Sequence, residues 1–176
     1  MQEIELEKTY LLKEIPAGLA ECKHKELLDI YIPISSIHPI LRIRKKGDDF
    51  EITKKFPVQE EDASHQIEHT IKISKEEFNE LSKIPSKKVR KIRYYYLHND
   101  NLGEFDVFQD ELEGLILVDF EFKTIAEKAA FTIPDFCLTD ATQKEFVAGG
   151  MLCGKNYTDI EKELEEFGYK KLFLKN

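Results

Sequence analysis

Carboxylates stand at every second position in the first segment of the chain, Glu3–Leu12, and they are the first residues that could do chemistry. Side chains of a β-strand point alternately to opposite faces, so a strand here would place Glu3, Glu5, Glu7 and Thr9 on one face. The other face would be apolar. Such an acidic row is either solvated, as on many half-exposed antiparallel strands, or it collects a divalent cation, which prefers oxygen ligands.

Acidic residues recur with the same spacing in two later segments. Asp119 and Glu121 alternate with apolar residues in 114–123, and Asp106 lies in the alternating segment 102–109. As strands, both segments would present their carboxylates on one face and an apolar or aromatic surface on the other. The chain therefore offers further carboxylates that could share a site with the first row.

Basic residues also occur in alternating pairs on candidate strands. Two pairs are Arg42 with Arg44 and Lys91 with Arg93, and Lys55 shares a strand face with the polar residue Thr53. Arginine forks and lysine ammonium groups are the usual protein partners of phosphate oxygens. These pairs predict phosphate binding if their strands meet in space.

Alternation and turn signals predict the elements that must position these residues. Eight strands are expected, at 3–12, 26–33, 39–45, 50–55, 66–73, 88–98, 102–109 and 114–123. Helices are expected at 75–83 after a Ser74–Glu77 capping box, at 125–130, at 142–152, and after a capping box at 158–161. Residues 13–25 are expected to form a loop with one helical turn, 58–64 a polar loop, and 134–138 an irregular segment.

Every predicted strand has one apolar and one charged face, and this pattern constrains the architecture. Helices can cover the apolar faces, whereas the charged faces must either meet water on an open sheet or face each other inside a closed barrel. A lumen holding both signs of charge is costly to assemble without a ligand. A polyanion together with divalent cations would match it, so we expect an α+β chain built on a closed antiparallel barrel with helices outside.

Composition limits the function classes. The chain has 176 residues and a formal net charge of −8, which argues against a nucleic-acid or membrane-surface binder. One domain over 1–176 is expected from this length. Three widely spaced cysteines favour a reducing, cytoplasmic setting, and an acidic N-terminus is unlike a signal peptide.

The order of these motifs resembles the CYTH superfamily, also called the triphosphate tunnel metalloenzymes. The resemblance covers nearly the whole chain. Each motif is common by itself, and the specificity comes from their order along the sequence. The six motifs are Glu5-x-Glu7, Arg42-x-Arg44, Thr53-x-Lys55 before Pro57, Lys91-Ile92-Arg93-Tyr94, Asp106-Val107-Phe108 and Asp119-x-Glu121-Phe122.

The resemblance implies an antiparallel barrel of about eight strands around a triphosphate tunnel. It implies that Glu5, Glu7, Asp119 and Glu121 hold Mg²⁺ or Mn²⁺, with Glu68 as a secondary candidate. It implies that Asp106 and Arg93 are catalytic, Asp106 by helping to hold metal or to orient the attacking water. The implied triphosphate-binding residues are Arg42, Arg44, Lys55, Lys91, Arg93 and Lys155.

One position departs from the family pattern. The first family motif is E-x-E-x-K, but the lysine position here holds Thr9. Relatives use that lysine at the reaction centre, so the departure bears on rate and substrate. The strand with Glu68 also carries fewer acids than relatives do, since Gln66 and Thr70 flank it.

The resemblance leaves three functions open. The first is a metal-dependent hydrolase whose substrate is a small-molecule triphosphate, inorganic triphosphate first and nucleoside triphosphates next. The second is class IV adenylyl cyclase or thiamine triphosphatase activity on the same fold. The third is a non-catalytic triphosphate or polyphosphate binder, suggested by Thr9. No nucleic-acid or membrane partner is expected, and the sequence leaves the oligomeric state, the preferred metal and the pathway open.

Overall fold

Nine β-strands form the framework of the protein in a computed structural model, which describes residues 2–59 and 62–175. All neighbouring strands pair antiparallel. The strands are β1 (Gln2–Leu12), β2 (His24–Ile32), β3 (Leu41–Lys46), β4 (Asp49–Pro57), β5 (His65–Lys72), β6 (Lys87–His98), β7 (Asn101–Phe108), β8 (Ile116–Phe122) and β9 (Cys137–Asp140).

Strand β1 closes eight of these strands into a barrel. The sheet order is β5-β4-β3-β2-β6-β7-β8-β1-β9, and a further β5–β1 pairing joins the two ends of the eight-strand ring. The first half of β1, up to Leu6, pairs with β5, whereas Leu6–Leu11 pairs with β8. The closed eight-stranded antiparallel barrel expected from the alternating charge is therefore confirmed.

The ninth strand lies where the sequence predicts an irregular segment, and that prediction is wrong. Residues Cys137–Asp140 pair with Tyr10–Leu12 at the end of β1. Because β5 pairs only with the first half of β1, the backbone groups along one edge of the second half would otherwise be unpaired. β9 supplies hydrogen-bond partners for that edge, and backbone groups buried away from water require them.

The helix predicted over 142–152 is also wrong in its extent. The structure has a 3₁₀ turn at Glu145–Val147 and a separate short helix, α3 in the numbering used here, at Gly149–Leu152. A Cβ at Gly149 would lie 2.2 Å from the Tyr31 hydroxyl, and one at Gly150 would lie 2.2 Å from the Pro39 carbonyl oxygen. This segment therefore packs directly against the barrel wall, and its two glycines permit the approach.

Three further helices cover the outside: α1 (Lys75–Leu81), α2 (Ile125–Ala130) and α4 (Glu161–Glu166). The Ser74–Glu77 capping box of α1 is present as predicted. The box predicted at 158–161 is wrong, because Asn156 and Asp159 form the reciprocal cap two residues earlier. Asn156 is an effective cap because its side-chain oxygen accepts from a free backbone amide.

The apolar core lies outside the barrel lumen, between the strands and the covering segments. Phe78 of α1 packs on Ile30 and Ile43, which are almost fully buried. The larger clusters centre on Leu11 and Leu164 and on aromatic residues such as Phe105 and Phe120. Among the described helices, none is long and apolar enough to cross a membrane. The interior of the barrel is left to the charged side chains.

Candidate active site

A cavity of ≈ 840 Å³ occupies the barrel lumen and brings together most of the residues singled out by sequence. The alternation of each strand explains this, since the apolar faces are buried outside. The predicted residues that line the cavity are Glu5, Glu7, Arg42, Arg44, Lys55, Glu68, Lys91, Arg93, Asp106, Asp119 and Glu121.

Lys155 is the one predicted residue outside this lining. It follows α3, and its backbone amide donates to the Leu152 carbonyl. The late lysine that does line the cavity is Lys144, which sequence reasoning did not select. The structure therefore does not bring Lys155 to the lumen.

Three carboxylates form a compact cluster between β1 and β8. One oxygen from each of Glu5, Glu7 and Glu121 lies within 4.8 Å of the others. Register produces the cluster, because Glu7 is directly opposite Glu121 in the β1–β8 ladder. Three carboxylate ligands fit a hard divalent cation such as Mg²⁺ or Mn²⁺, which takes oxygen donors.

The electrostatics of this cluster are unfavourable without a cation. Burial and the nearby charge of Asp119 raise the pKa of Glu7 well above its usual range. Burial, together with Glu104 and Glu5, raises the pKa of Glu121 to about 7. Like charges brought together in a poorly hydrated site favour the protonated forms, and a bound cation reverses that preference.

Asp119 has a different environment from the three clustered acids. Its Oδ1 accepts a hydrogen bond of 2.7 Å from the Thr9 hydroxyl, and its Oδ2 lies 3.4 Å from Nη2 of Arg93. Burial and the charge of Asp106 raise the pKa of Asp119. The acid predicted as a metal ligand thus contacts one cation and one hydroxyl, and it lies beside the cluster.

Asp106 on β7 anchors two cations of the neighbouring strand β6. Its carboxylate accepts two 2.7 Å hydrogen bonds from Nε and Nη2 of Arg93, and it is also paired with Lys91. Arg93 contacts Glu104 as well. Burial opposes ionisation, but the charges of Arg93 and Lys91 are stronger and hold the pKa of Asp106 below its usual range. Asp106 is therefore an ionised carboxylate with both oxygens engaged.

Lys55 links the acidic cluster to β5. Its ammonium lies 2.5 Å from Glu5 and 3.1 Å from Glu68. Thr70 donates to the other Glu68 oxygen over 2.6 Å. Burial works against the charged ammonium, yet the acids Glu7 and Glu5 raise the pKa of Lys55. The Lys55 ammonium therefore stands next to the clustered carboxylates.

Sequence reasoning missed the contribution of β2 to the lumen. Asp29 is almost completely buried and forms a fork with Arg44, while the Tyr31 hydroxyl lies 3.5 Å from Nη1 of Arg42. The signal was present in the sequence, because Asp29 and Tyr31 alternate within the predicted strand 26–33. It was weak, since one acid among apolar residues does not form a repeating pair.

Residues 142–150, called the closing segment below, run across one end of the cavity. Thr142 contacts the backbone of Thr9 on β1, and Gln143 donates to Asp62 in the loop before β5. Farther on, Glu145 pairs with His38 at 3.0 Å. The closing segment thus forms a wall of the site at this end.

Solved structures with the same barrel are consistent with this geometry. The chain is similar to the structure of the inorganic triphosphatase NE1496, with 24% identity, a TM-score of 0.62, and 86% of this chain and 95% of that chain covered. A structure of the hypothetical protein NE1496 gives 26% identity and a TM-score of 0.63, over 86% of this chain and 99% of that one. This chain has the CYTH tunnel fold.

A candidate adenylate cyclase from Bacillus halodurans shares the CYTH tunnel fold at 15% identity and a TM-score of 0.56, with 99% of this chain and 95% of that chain covered. No family model matches the sequence, and no curated protein matches it either. The CYTH fold expected from six short motifs is therefore confirmed by three-dimensional similarity, while the roles of individual tunnel residues stay predictions.

Proposed function

We propose that this chain is a divalent-metal-dependent triphosphatase that acts inside its tunnel, on inorganic triphosphate first and nucleoside triphosphates next. One observation carries the proposal: the carboxylate cluster of Glu5, Glu7 and Glu121 and the cations Arg42, Lys55 and Arg93 line the same lumen. Such a combination matches a polyanion bound together with a hard cation.

Glu5, Glu7 and Glu121 would hold Mg²⁺ or Mn²⁺, with Asp119 and Glu68 as neighbouring candidates. When bound, the cation would supply charge stabilisation to phosphate oxygens and promote ionisation of water. The raised pKa values of Glu7 and Glu121 support this assignment, because a cation would offset the repulsion that causes them.

The basic residues of this chain would bind and orient the triphosphate. Lys55 and Arg93 already lie against carboxylates, so phosphate oxygens would share or replace those partners. Arg93 would offset charge on the transferred phosphoryl group, because its guanidinium is fixed by the Asp106 fork. Water would attack the terminal phosphorus, and the bond to the bridging oxygen would break, releasing phosphate and pyrophosphate.

Asp106 would serve in this scheme mainly through Arg93. Its carboxylate is fully paired, so its predicted role in orienting the attacking water requires it to release one of its two cations. An Asp106→Asn change would leave Arg93 less firmly placed and would lower kcat more than it raises KM.

The similarity in fold to the structure of the inorganic triphosphatase NE1496 supports the choice of first substrate. A cytoplasmic location, inferred from cysteine content, belongs to the same proposal.

Phosphate release from inorganic triphosphate and from ATP, each with Mg²⁺ and with Mn²⁺, tests the proposed function. We expect metal-dependent release that is lost in Glu5→Gln/Glu7→Gln. The matched control is Glu165→Gln/Glu166→Gln, which removes two exposed acids of α4. Chromatography of the ATP reaction would show a cyclic product if the chain is a cyclase. Absence of release from both substrates, with triphosphate still bound, would exclude the enzyme and leave a binding protein.

A further inference from the structure

Two arginines of β3 point into the same lumen but differ in their partners. Arg42 and Arg44 are two residues apart, so both side chains lie on the cavity face of the strand. The sequence pattern treats them as an equivalent phosphate-binding pair. Their contacts separate them.

Arg44 is held by a carboxylate of the barrel wall. Asp29 lies directly opposite it in the β2–β3 ladder, and the Asp29 oxygens accept from Nε and Nη2 of Arg44 at 2.6 and 2.8 Å. Asp29 is 1% exposed and Arg44 5% exposed. Burial opposes ionisation, but the Arg44 charge lowers the pKa of Asp29, so the pair is ionised at neutral pH. The third guanidinium nitrogen of Arg44, Nη1, lies 4.0 Å from Glu51.

Arg42 has no comparable partner among the residues that the structure describes. Its Nη2 lies 4.0 Å from Glu68 and its Nη1 lies 3.5 Å from the Tyr31 hydroxyl. Its Nε is buried and has no hydrogen-bond partner within residues 2–59 and 62–175. A partly buried guanidinium with unmatched donors gains more from an incoming phosphate than one already forked to a carboxylate, because it gives up fewer existing hydrogen bonds.

We propose that Asp29 sets the anion affinity of the tunnel by holding Arg44 in a neutral pair, so that Arg42 is the arginine of β3 that binds the triphosphate. This inference rests on the proposed function. Asp29 acts through Arg44 and need not contact the substrate. The pair forms a neutral part of the wall, and it limits the net positive charge that faces the phosphates.

The sign of the Asp29→Asn effect distinguishes this role from a general loss of structure. Removing the carboxylate leaves the Arg44 charge uncompensated at the wall, so anion affinity should rise, by roughly tenfold for one added charge in a partly shielded site. A merely structural defect would weaken binding instead. The paired variant Asp29→Asn/Arg44→Gln removes both charges together. It leaves no unpaired ion buried in the protein, so it should fold more readily than Asp29→Asn alone.

Calorimetric titration with inorganic triphosphate in EDTA tests the inference, since no turnover occurs without metal in the proposed scheme. We expect Asp29→Asn to bind more tightly, the paired variant to lie within about twofold of the parent, and Arg42→Gln to bind at least about tenfold more weakly. Asp48→Asn is the matched control, because it removes one exposed acid from the β3–β4 turn. KM and kcat for the same variants, measured with Mg²⁺, should show the changes mainly in KM.

Two results would overturn the inference. If the paired variant loses as much affinity as Arg42→Gln, Arg44 contacts the substrate directly. If Asp29→Asn binds more weakly although the paired variant is folded, Asp29 orients Arg44 for binding and does not neutralise it. Both leave the proposed function standing, whereas a parent protein that neither binds nor hydrolyses triphosphate would overturn the function itself and this inference with it.

Discussion

The Thr9 hydroxyl donates a hydrogen bond to Asp119 across the β1–β8 ladder, where the two residues are directly opposite. The E-x-E-x-K motif of the CYTH superfamily, which this sequence resembles, has a lysine at the position of Thr9. A neutral donor satisfies one oxygen of the acid but does not compensate its charge. The pKa of Asp119 is raised, because burial and the charge of Asp106 outweigh the opposing effects of Arg93, Lys91 and the Thr9 hydrogen bond.

Replacing Thr9 with valine should destabilise the protein. The change keeps the side-chain shape but removes the donor to a partly buried acid, and such a loss typically costs about 1–3 kcal/mol. Urea unfolding at pH 7 measures the loss. Thr9→Ser is the control, because it keeps the hydroxyl; equal losses in the two variants would show that the methyl group and not the hydrogen bond matters.

Binding of a divalent cation should stabilise the folded protein. At a concentration 100 times the dissociation constant the gain is about 2.7 kcal/mol, visible as a higher Tm with Mn²⁺ or Mg²⁺ than in EDTA. Glu7→Gln should remove this response and, in EDTA, raise Tm, because it relieves repulsion by Asp119 and Glu5. The control Glu166→Gln should respond like the parent. If Mn²⁺ or Mg²⁺ raises the Tm of Glu7→Gln as much as that of the parent, the cation binds at a different site.

Stability should fall steeply at acid pH through Asp29 and Asp106, whose pKa values are both lowered in the folded chain by paired cations although burial acts to raise them. Groups of this kind add stability above their unfolded pKa, about 4, and lose it as pH falls through the folded value. Glu7 and Glu121 have raised pKa values, so below about pH 4 they are protonated in both states and do not contribute.

Urea unfolding between about pH 5 and pH 2 measures this loss. Asp29→Asn/Arg44→Gln should show a shallower decline than the parent, because one of the two lowered acids is gone. An unchanged slope in that variant would mean that the Asp29–Arg44 pair adds no net stability.

Gly149→Ala should destabilise the contact between the closing segment and the barrel. A Cβ there would lie 2.2 Å from the Tyr31 hydroxyl oxygen, so the segment or the tyrosine must move, at about 1–3 kcal/mol. Tyr31→Phe removes that oxygen and should restore part of the stability in the double variant. Gly150→Ala meets the Pro39 backbone carbonyl, which a side-chain change cannot relieve, so Tyr31→Phe should not rescue it. Thermal unfolding of the two glycine variants, each with and without Tyr31→Phe, tests this prediction. Equal rescue of both glycine variants would contradict the assigned contacts.

The barrel and most of its lining could be predicted because both depend on local alternation. A period of two fixes which side chains of a strand share a face, so Glu5 with Glu7, Arg42 with Arg44, and Lys91 with Arg93 reach the lumen once the strands pair. Helix α1 was equally predictable, since the Ser74–Glu77 cap is a contact between near neighbours in sequence.

Two of the elements that failed prediction, β9 and the closing segment, depend on contacts between distant residues. Strand β9 exists because β5 leaves one edge of β1 open, and the closing segment breaks its helix because Tyr31 and Pro39 lie against its glycines. Neither partner is near in sequence, so local periodicity carries no signal for them.

The sequence by itself determined the barrel, the inventory of charges in its lumen and the resemblance to the CYTH superfamily. Only the tertiary structure decided how those charges are paired: Asp29 with Arg44, Asp106 with Arg93 and Lys91, and Thr9 with Asp119. The physical reason is that strand alternation fixes the face of each side chain, while strand order and register across the closed barrel fix its neighbours.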